Sequence, residues 1–396
     1  MATNTLGAYN PAPFYANTAL DILKSRLGIA RRINRTYDDE RKSFDKGDVI
    51  MVRRPSTFEA LDAPSAAQNI NTTKVPITLN SHKEVKIEVT DKELAYTGQR
   101  LVDEHIMPMA YGVAKKIEID LNSLAIKIPH AYIEPAAGTS ATIAGIAGTW
   151  EKLFANQCPT FEEQNMFFEI GGKEKADLMQ LAAFSQHQGA GDVGVQTQRT
   201  GTLGRRFGFE FYETQLRPTV AYGDISDFVG TITEPAAVGD TSITVGGMGT
   251  TDVIKKGTII KFDVSGNEYA VAADATMSGA AGVVTITPAI RVAEADNAAI
   301  TIQAGQDLTS SALNNMNLAY HRNFAALAFA PLPDYANYNG LGASIFTVND
   351  EDSGLSVRAR IYYVGGSSKM EAALDVLYGY EVLEPSLACR YEIKKT

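Results

Sequence analysis

Residues 257–271 read GTIIKFDVSGNEYAV, with a Ser-Gly-Asn turn at 265–267 between two runs of β-forming residues. Polar Lys261 and Asp263 alternate with apolar neighbours, which is the period of a strand that buries one face. Glycine and asparagine supply the backbone conformations that a tight turn between strands requires. The stretch therefore predicts a β-hairpin.

This hairpin lies in a longer segment of the same character. From Thr231 to Gln303 the sequence shows no helical stripe, whereas short β runs recur and Pro288 ends one of them. Mixed helical and β patterns flank the segment on both sides, so we predict a small all-β domain inserted into an α+β chain. Its Gly-rich loop at 246–256, GGMGTTDVIKK, carries three charged residues: Asp252, Lys255 and Lys256.

A long amphipathic helix is predicted before this domain. Apolar residues from Val102 to Ile128 recur at a spacing of three or four, so they share one helical face. The helix would run from about Gln99 to Ile128, about 45 Å at 1.5 Å per residue, with a bend at Pro108 and an end at Pro129. Such a helix can brace an extended subunit, although an ordinary core helix would carry the same stripe.

The N-terminal region is predicted to be an irregular arm over residues 1–17, followed by a short helix from Thr18 to Leu27. The region is basic, which fits an acidic partner surface, nucleic acid or, as the simplest interpretation, a solvated charge run. Its basic residues are Lys24, Arg26, Arg31, Arg32 and Arg35.

Two strands are predicted at Asp48–Val52 and Ile77–Val89, the second from its alternation of apolar and charged residues. The connection at 55–76 is far longer than the about 2 to 5 residues of a hairpin loop. It is therefore either a mobile surface loop or an arm that grips a neighbouring copy.

The remaining patterns describe a mixed α+β section and a C-terminal section. After Gln303 a helical pattern is predicted to return and to continue to Pro331, and strands should follow to the end of the chain. The other predicted elements are helices at Trp150–Asn156 and Lys173–Phe184 and strands at Met166–Ile170, Phe207–Glu213 and from Leu355 onward.

Composition excludes several classes of protein. The 396 residues are 45% hydrophobic and 21% charged, which is ordinary for a globular chain. The formal net charge of −10 argues against wrapping nucleic acid, because phosphate contacts need clustered Lys and Arg. Cys158 and Cys389 have no metal-ligand neighbours and are predicted to be buried free thiols. Neither a signal peptide nor a run of about 18 apolar residues is present, so we expect a protein of the reducing cytosol.

Catalytic motifs are missing from the sequence. Glycine-rich phosphate-binding patterns, a nucleophile elbow and the HExxH zinc pattern do not occur. Acidic pairs such as Asp38-Asp39 fit solvated turns. We therefore expect no catalytic residue, no cofactor, no metal site and no enzymatic activity. The histidines are scattered singly, as structural residues are: His82, His105, His130, His187 and His321.

Three segments carry a family resemblance: GFEFYETQLRPT at 208–219, NLAYHRNFAALAFAPLP at 317–333, and GLSVRARIYY at 354–363 followed by DVLYGYEVLEP. In this order the chain resembles the coat proteins of tailed bacteriophages. More narrowly, it resembles those of short-tailed phages in which a β-barrel domain interrupts the capsid fold. The resemblance covers essentially the whole chain.

The resemblance implies the tailed-phage major capsid fold, with an N-arm, an extended loop, a long spine helix, and peripheral and axial domains. An inserted small all-β barrel completes this α+β fold. The implied divisions are residues 1–47 for the arm and short helix, 48–89 for the extended β-hairpin loop, 90–225 for the spine helix and first part of the core, 226–305 for the barrel and 306–396 for the second part of the core.

The implied function is self-assembly into hexamers and pentamers of an icosahedral head. A scaffolding protein, a portal protein and packaged double-stranded DNA, held without sequence-specific binding, are the implied partners, and no membrane is involved. The protein would reside in the virion, and in the bacterial host cytoplasm during assembly.

The same resemblance suggests contacts between subunits. The extended loop lies across a neighbouring subunit in this fold, so Arg53 and Arg54, at the outer end of its first strand, are candidates for ion pairs. The barrel is implied to stabilise the subunit and to bridge capsomers through the loop at 246–256. Asp252, Lys255 and Lys256 would then pair across a two-fold axis, where exposed pairs contribute about 0 to 1 kcal/mol each.

Two other functions remain open at the level of the sequence. A cellular nanocompartment shell has the same fold but lacks this kind of insertion domain. A hydrolase whose β domain binds substrate would instead be a compact monomer, with convergent carboxylates or a Ser-His pair in one cleft.

Overall fold

The computed structural model shows an α+β chain in which α-helices and strands precede a closed β-barrel, and the described residues after the barrel form strands and two short 3-10 turns. The predicted α+β class with an inserted all-β barrel is confirmed. The chain divides into two compact units, Met1–Glu118 with Ala325–Leu383 and Ile119–Phe324 with Glu384–Thr396. The structure describes residues 11–35, 49–53, 62–63, 67, 74–92, 100–134, 140–222, 230–247, 249, 252–278, 281–303, 306, 313–333, 343–349 and 355–394.

The described helices are α1 (Pro11–Arg26), α2 (Ile29–Arg32), α3 (Arg100–Asn122), α4 (Ile143–Ala155), α5 (Gly172–Gln180), α6 (Ala182–Ser185) and α7 (His187–Thr200). Strands of the two units outside the barrel are β1 (Val49–Arg53), β2 (Lys74–Thr78), β3 (Ser81–Thr90), β4 (Ala131–Ile133), β5 (Met166–Ile170), β6 (Arg205–Arg206), β7 (Phe209–Glu213), β8 (Thr219–Ala221), β17 (Leu313–His321), β18 (Ala325–Ala330), β19 (Ala343–Asn349), β20 (Ser356–Val364), β21 (Lys369–Val382) and β22 (Ala388–Lys394). The insertion contains β9 (Gly230–Ile232), β10 (Ser242–Gly246), β11 (Val253–Ile254), β12 (Ile259–Phe262), β13 (Glu268–Val271), β14 (Ala275–Thr276), β15 (Ala281–Thr287) and β16 (Ala299–Ile302).

In the first unit, β21 is the central strand of a five-stranded antiparallel sheet. It pairs with β18 and β20 along successive stretches and with β3 along its first part, while β19 extends the sheet beyond β20. Helix α1 contacts β19 and β20, and its apolar face is buried because the sheet covers it. The buried residues of that face are Tyr15, Ala16, Ala19, Leu20 and Leu23.

Helix α2 begins at a carboxylate of the long helix. The Glu118 side chain accepts hydrogen bonds from the backbone N–H groups of Gly28, Ile29 and Ala30, at 2.9, 3.1 and 3.2 Å. Burial raises the pKa of Glu118, although these three hydrogen bonds oppose the shift. A carboxylate thus satisfies the first amides of the short helix, which would otherwise lack partners.

In the second unit, a seven-stranded sheet runs in the order β4-β22-β17-β5-β7-β6, and β8 also pairs with β17. Aromatic rings fill its core: Phe168 packs against Phe209, Phe211 and Tyr391, with ring centroids 5.1 to 5.9 Å apart.

The inserted barrel closes in the order β10-β15-β13-β12-β16-β9. The predicted hairpin is β12 with β13, and its turn contains Gly266 at a φ of 70°, a conformation that favours glycine. The first and last barrel strands, β9 and β16, pair with each other, so Gly230 lies opposite Ile300. Three residues from outside the barrel, Val220, Tyr222 and Met316, share its apolar core.

The helical pattern predicted between Gln303 and Pro331 is wrong, because the described residues there form β17 and β18. Nearly every residue of these two strands is buried. A strand buried on both faces loses the alternation of apolar and polar residues that marks a half-exposed strand. Its apolar run then resembles a helical stripe.

The N-terminal boundary also differs from the prediction. Residues 1–10 of the predicted arm lie outside the described residues, but α1 already begins at Pro11. Proline is tolerated in the first turn of a helix, where its missing N–H would have no partner. Thr18, predicted to start the helix, lies inside it and donates its hydroxyl to the carbonyl of Phe14 at 2.9 Å.

The long helix was predicted closely. Helix α3 spans Arg100–Asn122 with Pro108 inside it, and a 3-10 turn continues it over Ser123–Lys127. Helix α4 was predicted too short, since it begins at Ile143 after the capping residue Thr142, whose hydroxyl accepts the N–H of Gly145 at 2.9 Å.

The extended loop has a different pairing from a simple hairpin. Strand β1 pairs with β2, whereas β3 pairs with β21 of the main sheet. The apolar side of β1 and β2 packs on β18 through Ile50, Val52 and Ile77. Most of the connection at 55–76 lies outside the described residues, so its predicted grip on a neighbour stays a prediction.

Candidate assembly surfaces

Two of the three segments that carry the resemblance meet in a buried polar cluster. Arg217 contacts the carboxylate of Glu174, which is fully buried, and donates from Nη1 to the Asn317 side-chain oxygen at 2.7 Å. That oxygen also accepts the backbone N–H of Gly171 at 3.1 Å. A buried charge is tolerated only when it is paired and hydrogen-bonded in this way. The cluster therefore fixes strand β17 to the start of α5.

Gly171 leaves the space for that arginine. A Cβ atom at Gly171 would lie 2.1 Å from Cζ of Arg217, closer than any van der Waals contact. The N–H of Gly171 and its missing side chain thus both serve the cluster. A sequence alone gives no sign of this, because the glycine, the arginine and Asn317 are far apart along the chain.

The third segment contains a second buried ion pair. Asp375 is fully buried and binds Arg358 through two hydrogen bonds, Nη2 to Oδ2 at 2.5 Å and Nε to Oδ1 at 3.2 Å. The Nε2 atom of His82 on β3 lies 3.1 Å from Oδ2 of the same carboxylate. The pair therefore ties three strands, β20, β21 and β3, to one another.

Asp375 begins a band of charges that we name the charged face, formed by His82, Glu84, Lys86 and Glu88 of β3 together with Lys369, Glu371 and Asp375 of β21 and Arg358 and Arg360 of β20. Two like-charged pairs lie directly opposite in this sheet, Glu84 with Asp375 and Glu88 with Glu371. Diagonal partners offset the repulsion, because Arg360 pairs with Glu84 at 2.8 Å and Lys369 with Glu88 at 2.8 Å.

The candidate contact residues of the extended loop are only partly described. Arg53 ends β1 with its backbone opposite Lys74, and Arg54 lies outside the described residues. Their role between subunits stays a prediction.

The candidate residues of the barrel loop surround the small two-stranded sheet of β11 and β14. The Asp252 carboxylate accepts the N–H of Gly249 at 2.9 Å, so it shapes its own turn. Asp274 pairs with the Lys255 ammonium at 3.6 Å and accepts the backbone N–H of Lys256 at 2.8 Å. Among the described residues no partner is assigned to the exposed Lys256 ammonium. Lys256 is the exposed member of this trio.

The barrel is joined to the sheet of the second unit by buried polar contacts. Glu268 of β13 accepts from Lys152 of α4 at 3.1 Å and lies 3.0 Å from Nδ1 of His130. Burial by itself would raise the pKa of Glu268, but these two partners outweigh it and lower the pKa below its ordinary value.

A second junction lies deeper in the same unit. Arg390 of β22 is fully buried and donates to the carbonyl of Gly257 at 2.9 Å, while Tyr222 donates to Glu392 at 2.6 Å. Burial raises the pKa of Glu392 and of Tyr222. Gln306 accepts the N–H of Ile259 at 2.8 Å, which closes the base of the barrel.

An exposed aromatic patch was not predicted. The rings of Trp150 and Phe154 stack on α4 with centroids 5.3 Å apart, and the Phe154 side chain is 62% exposed. The turn at Phe207-Gly208 lies beside Trp150, and Phe207 has a φ of 50°, rare for a residue with a side chain. The single tryptophan of the sequence was the only available signal.

The described residues contain no cluster of three or more His, Cys, Asp or Glu side chains that could hold a metal ion. None of the described helices combines the length and apolar character needed to cross a membrane. Cys158 and Cys389 are buried free thiols, as predicted, and burial raises the pKa of each to about 12.

No family model and no curated protein matches the chain. Among solved structures, the chain is similar to one of Mycobacterium phage Che8, at 11% identity and a TM-score of 0.49, over 92% of this chain and 90% of that one. It is similar to the capsid of cyanophage P-SCSP1u, at 9% identity and a TM-score of 0.46, over 100% and 92% of the two chains. It is also similar to the virus-like particle from Pyrococcus furiosus, at 9% identity and a TM-score of 0.39, over 97% and 100%. With TM-scores below 0.5, these likenesses do not assign a function to this chain.

Proposed function

We propose that this chain is the major coat subunit of a tailed bacteriophage, which assembles with a scaffolding protein into an icosahedral head around double-stranded DNA. The proposed role is structural and involves no catalysis, cofactor or metal. A portal protein at one vertex completes the proposed set of partners. The subunit would be made in the bacterial cytoplasm and reside in the virion.

The inserted barrel is the observation that carries this proposal. The sequence resemblance requires a small closed β-barrel inside an α+β chain, at residues 226–305, and a closed barrel is present between Gly230 and Ile302. A long helix precedes it and sheet strands follow it, in the order that the resemblance requires. The same insertion speaks against a nanocompartment shell, which lacks it.

The buried clusters support the structural role. All three resemblance segments contribute residues to polar networks that join strands: Arg217, Asn317 and Arg358 with Asp375. A subunit that must keep its shape while its surfaces bind neighbours needs such internal bonds. A hydrolase would instead place convergent polar groups in an open cleft.

The contact residues proposed from the sequence remain Arg53, Arg54, Asp252, Lys255 and Lys256. Because many copies close one shell, each contact need only be modest, and excessively strong contacts would trap misassembled intermediates. Bonding of Asp252 and Lys255 within their own barrel favours Lys256 as the bridging charge of the loop.

Electron microscopy of the purified full-length chain, alone and with its scaffolding protein, tests the proposal. Closed icosahedral particles are the expected result. Coexpression with scaffold should increase the fraction of regular particles, since scaffold guides curvature. Persistent folded monomers under all these conditions would contradict a coat function, and regular shells that form without scaffold and enclose other proteins would favour a nanocompartment.

A further inference from the structure

Strand β3 leaves one of its edges open. Its inner edge pairs with β21 along its whole length, from Ser81 opposite Tyr378 to Thr90 opposite Lys369. In the part of the chain that the structure describes, no strand pairs with its outer edge. An open edge presents a row of backbone donors and acceptors that another strand can use.

Glu84, Lys86 and Glu88 alternate in sign along this edge, and the polar His82 precedes them. His82, Glu84, Lys86 and Glu88 project from one face of β3, and all four are exposed. Edges that avoid pairing commonly carry Lys or other charges that two copies cannot bring together. When the charges alternate in sign, this protection is lost, because a second β3 strand that is shifted or antiparallel can place an opposite charge beside each charge of the first.

One antiparallel register makes the edge complementary to itself. If two copies pair with Val85 opposite Val85, Glu84 faces Lys86 of the second copy and His82 faces Glu88. Symmetry repeats each of these contacts, which gives four favourable pairs on one face. Centring the pairing on Glu84 or on Lys86 instead places like charges opposite each other.

We propose that β3 pairs with β3 of a second copy of this chain, antiparallel and centred on Val85, so that one continuous sheet crosses a two-fold axis. Backbone hydrogen bonds would hold the strands together, and the alternating charges would fix the register. The bonds of Lys86 with Glu371 and of Glu84 with Arg360 can remain, because a carboxylate accepts several hydrogen bonds. The pairing is inferred from β3 itself, and only its use in a shell rests on the proposed coat function.

Disulfide formation tests the pairing in the full-length chain. With Val85→Cys, the two introduced thiols would stand on residues whose Cα atoms are about 4.5 to 5.5 Å apart, within the range that a disulfide spans. Ser81→Cys is the matched control, because in this register its two copies would lie about 27 Å apart along the strands. The buried Cys158 and Cys389 do not compete, since their thiols are protonated and inaccessible.

Mild oxidation followed by non-reducing electrophoresis should give about tenfold more covalent dimer for Val85→Cys than for Ser81→Cys. Lys86→Glu in the Val85→Cys background should reduce the yield, because Glu84 then faces a carboxylate. Adding Glu84→Lys should restore it, since the reversed charges are again complementary. Equal yields for Val85→Cys and Ser81→Cys, in proteins that unfold at the parent temperature, would overturn the proposal.

A second pair of variants covers the case in which Val85→Cys misfolds. In the proposed register, residue 83 of one copy lies opposite residue 87 of the other, so a mixture of Lys83→Cys and Ile87→Cys should form mixed dimers. In a dimer of one variant alone, the two introduced cysteines would lie about 14 Å apart along the strands. Absence of mixed dimers would overturn the pairing. If Val85→Cys subunits form shells but no disulfide, this contact is refuted and the coat function is not. If disulfide dimers form but shells never do, the coat function alone is refuted.

Discussion

At the scale of single residues, two glycines of α4 determine how closely this helix approaches the sheet of the second unit. A Cβ atom at Gly148 would lie 2.2 Å from the Tyr132 ring, and one at Gly145 would lie 2.4 Å from the Glu134 carboxylate. Glycine in a helix ordinarily costs about 1 kcal/mol relative to alanine. Close packing of α4 on β4 and β22 outweighs this cost.

We expect Gly148→Ala to destabilise the chain by about 1 to 3 kcal/mol, because the new methyl group must displace the Tyr132 ring. Gly172→Ala, in the first turn of α5, is the matched control, since its Cβ would meet no atom within 4 Å. That variant should be neutral or stabilising by about 0.4 to 1 kcal/mol. Urea unfolding of both variants measures the difference, and equal stabilities would contradict the steric explanation.

The pKa of Glu268 predicts how the barrel junction responds to acid. Since folding lowers this pKa, the ionised carboxylate contributes stability at neutral pH, and the contribution is lost as the pH falls through the depressed folded value. Glu268→Gln should therefore destabilise the protein by about 1 to 3 kcal/mol at pH 7. Its difference from the parent should begin to shrink below about pH 4.3, where the unfolded carboxyl takes up a proton, and should disappear once the pH is below the depressed folded pKa.

Thermal unfolding across this pH range measures the effect of Glu268→Gln. The exposed Glu234 lies on the same barrel and provides a control, because Glu234→Gln should change stability by less than about 0.5 kcal/mol at any pH. If the two variants have the same pH profile, the bonds of Glu268 with Lys152 and His130 do not stabilise the junction.

At the scale of elements, the barrel is both a closed domain and part of the core of the second unit. Its interior includes Val220, Tyr222 and Met316, which belong to strands or loops outside it. Gly257 lies against Met316 and Val220, and its carbonyl accepts the Arg390 guanidinium. Removing the barrel would therefore expose apolar side chains and take from the buried Arg390 the carbonyl to which it donates.

Deletion of 231–301 tests this dependence. Because Gly230 lies opposite Ile300, the chain ends left at Gly230 and Ile302 are close enough to be joined by a short glycine linker. We expect the deletion to reduce the soluble folded yield by about tenfold or more, because a loss of several kcal/mol is a large part of the about 5 to 15 kcal/mol by which a native protein is stable. A milder variant, Gln306→Ala, should retain the fold with lower stability, since it removes the hydrogen bonds of one side chain, those with the Ile259 N–H and the Gly257 carbonyl. A shortened chain that folds and assembles normally would contradict the stabilising role of the barrel.

At the scale of the whole molecule, the sequence predicted the architecture better than it predicted where individual helices and strands begin and end. The long helix and the barrel hairpin were predicted because their residues repeat with one clear period, as from Val102 to Ile128. Strands β17 and β18 were missed because both of their faces are buried. Local patterns also miss packing between residues on different elements. Gly148, for example, is required because the Tyr132 ring occupies the space that a side chain would need.

The candidate assembly surfaces were less predictable than the fold. The barrel loop was recognised from its glycines and charges, but its internal bonds, such as that of Lys255 with Asp274, depend on the fold. The charged face requires β3 to pair with β21, nearly 300 residues further along the chain, which local periodicity does not encode. The exposed rings of Trp150 and Phe154 likewise follow from where α4 packs.

Lys256 provides a prediction for the assembled shell. Lys256→Ala should leave unfolding of the free subunit within about 0.5 kcal/mol of the parent, because its ammonium is exposed. Shells of this variant should dissociate at a lower urea concentration, and high salt should reduce the difference. Lys261→Ala, on barrel strand β12, is the control, and identical dissociation of both shells would exclude a bridging role for Lys256.

The pairing of the first and last barrel strands has a consequence for the history of this protein. Because Gly230 lies opposite Ile300, the chain enters and leaves the barrel at one place, and a different domain could occupy that position without redirecting the flanking strands. Recombination at these two points would exchange the domain as a single cassette. Any replacement domain must still cover Val220, Tyr222 and Met316. The side of the domain that packs on the rest of the chain is therefore constrained, while its outer surface is free to diversify.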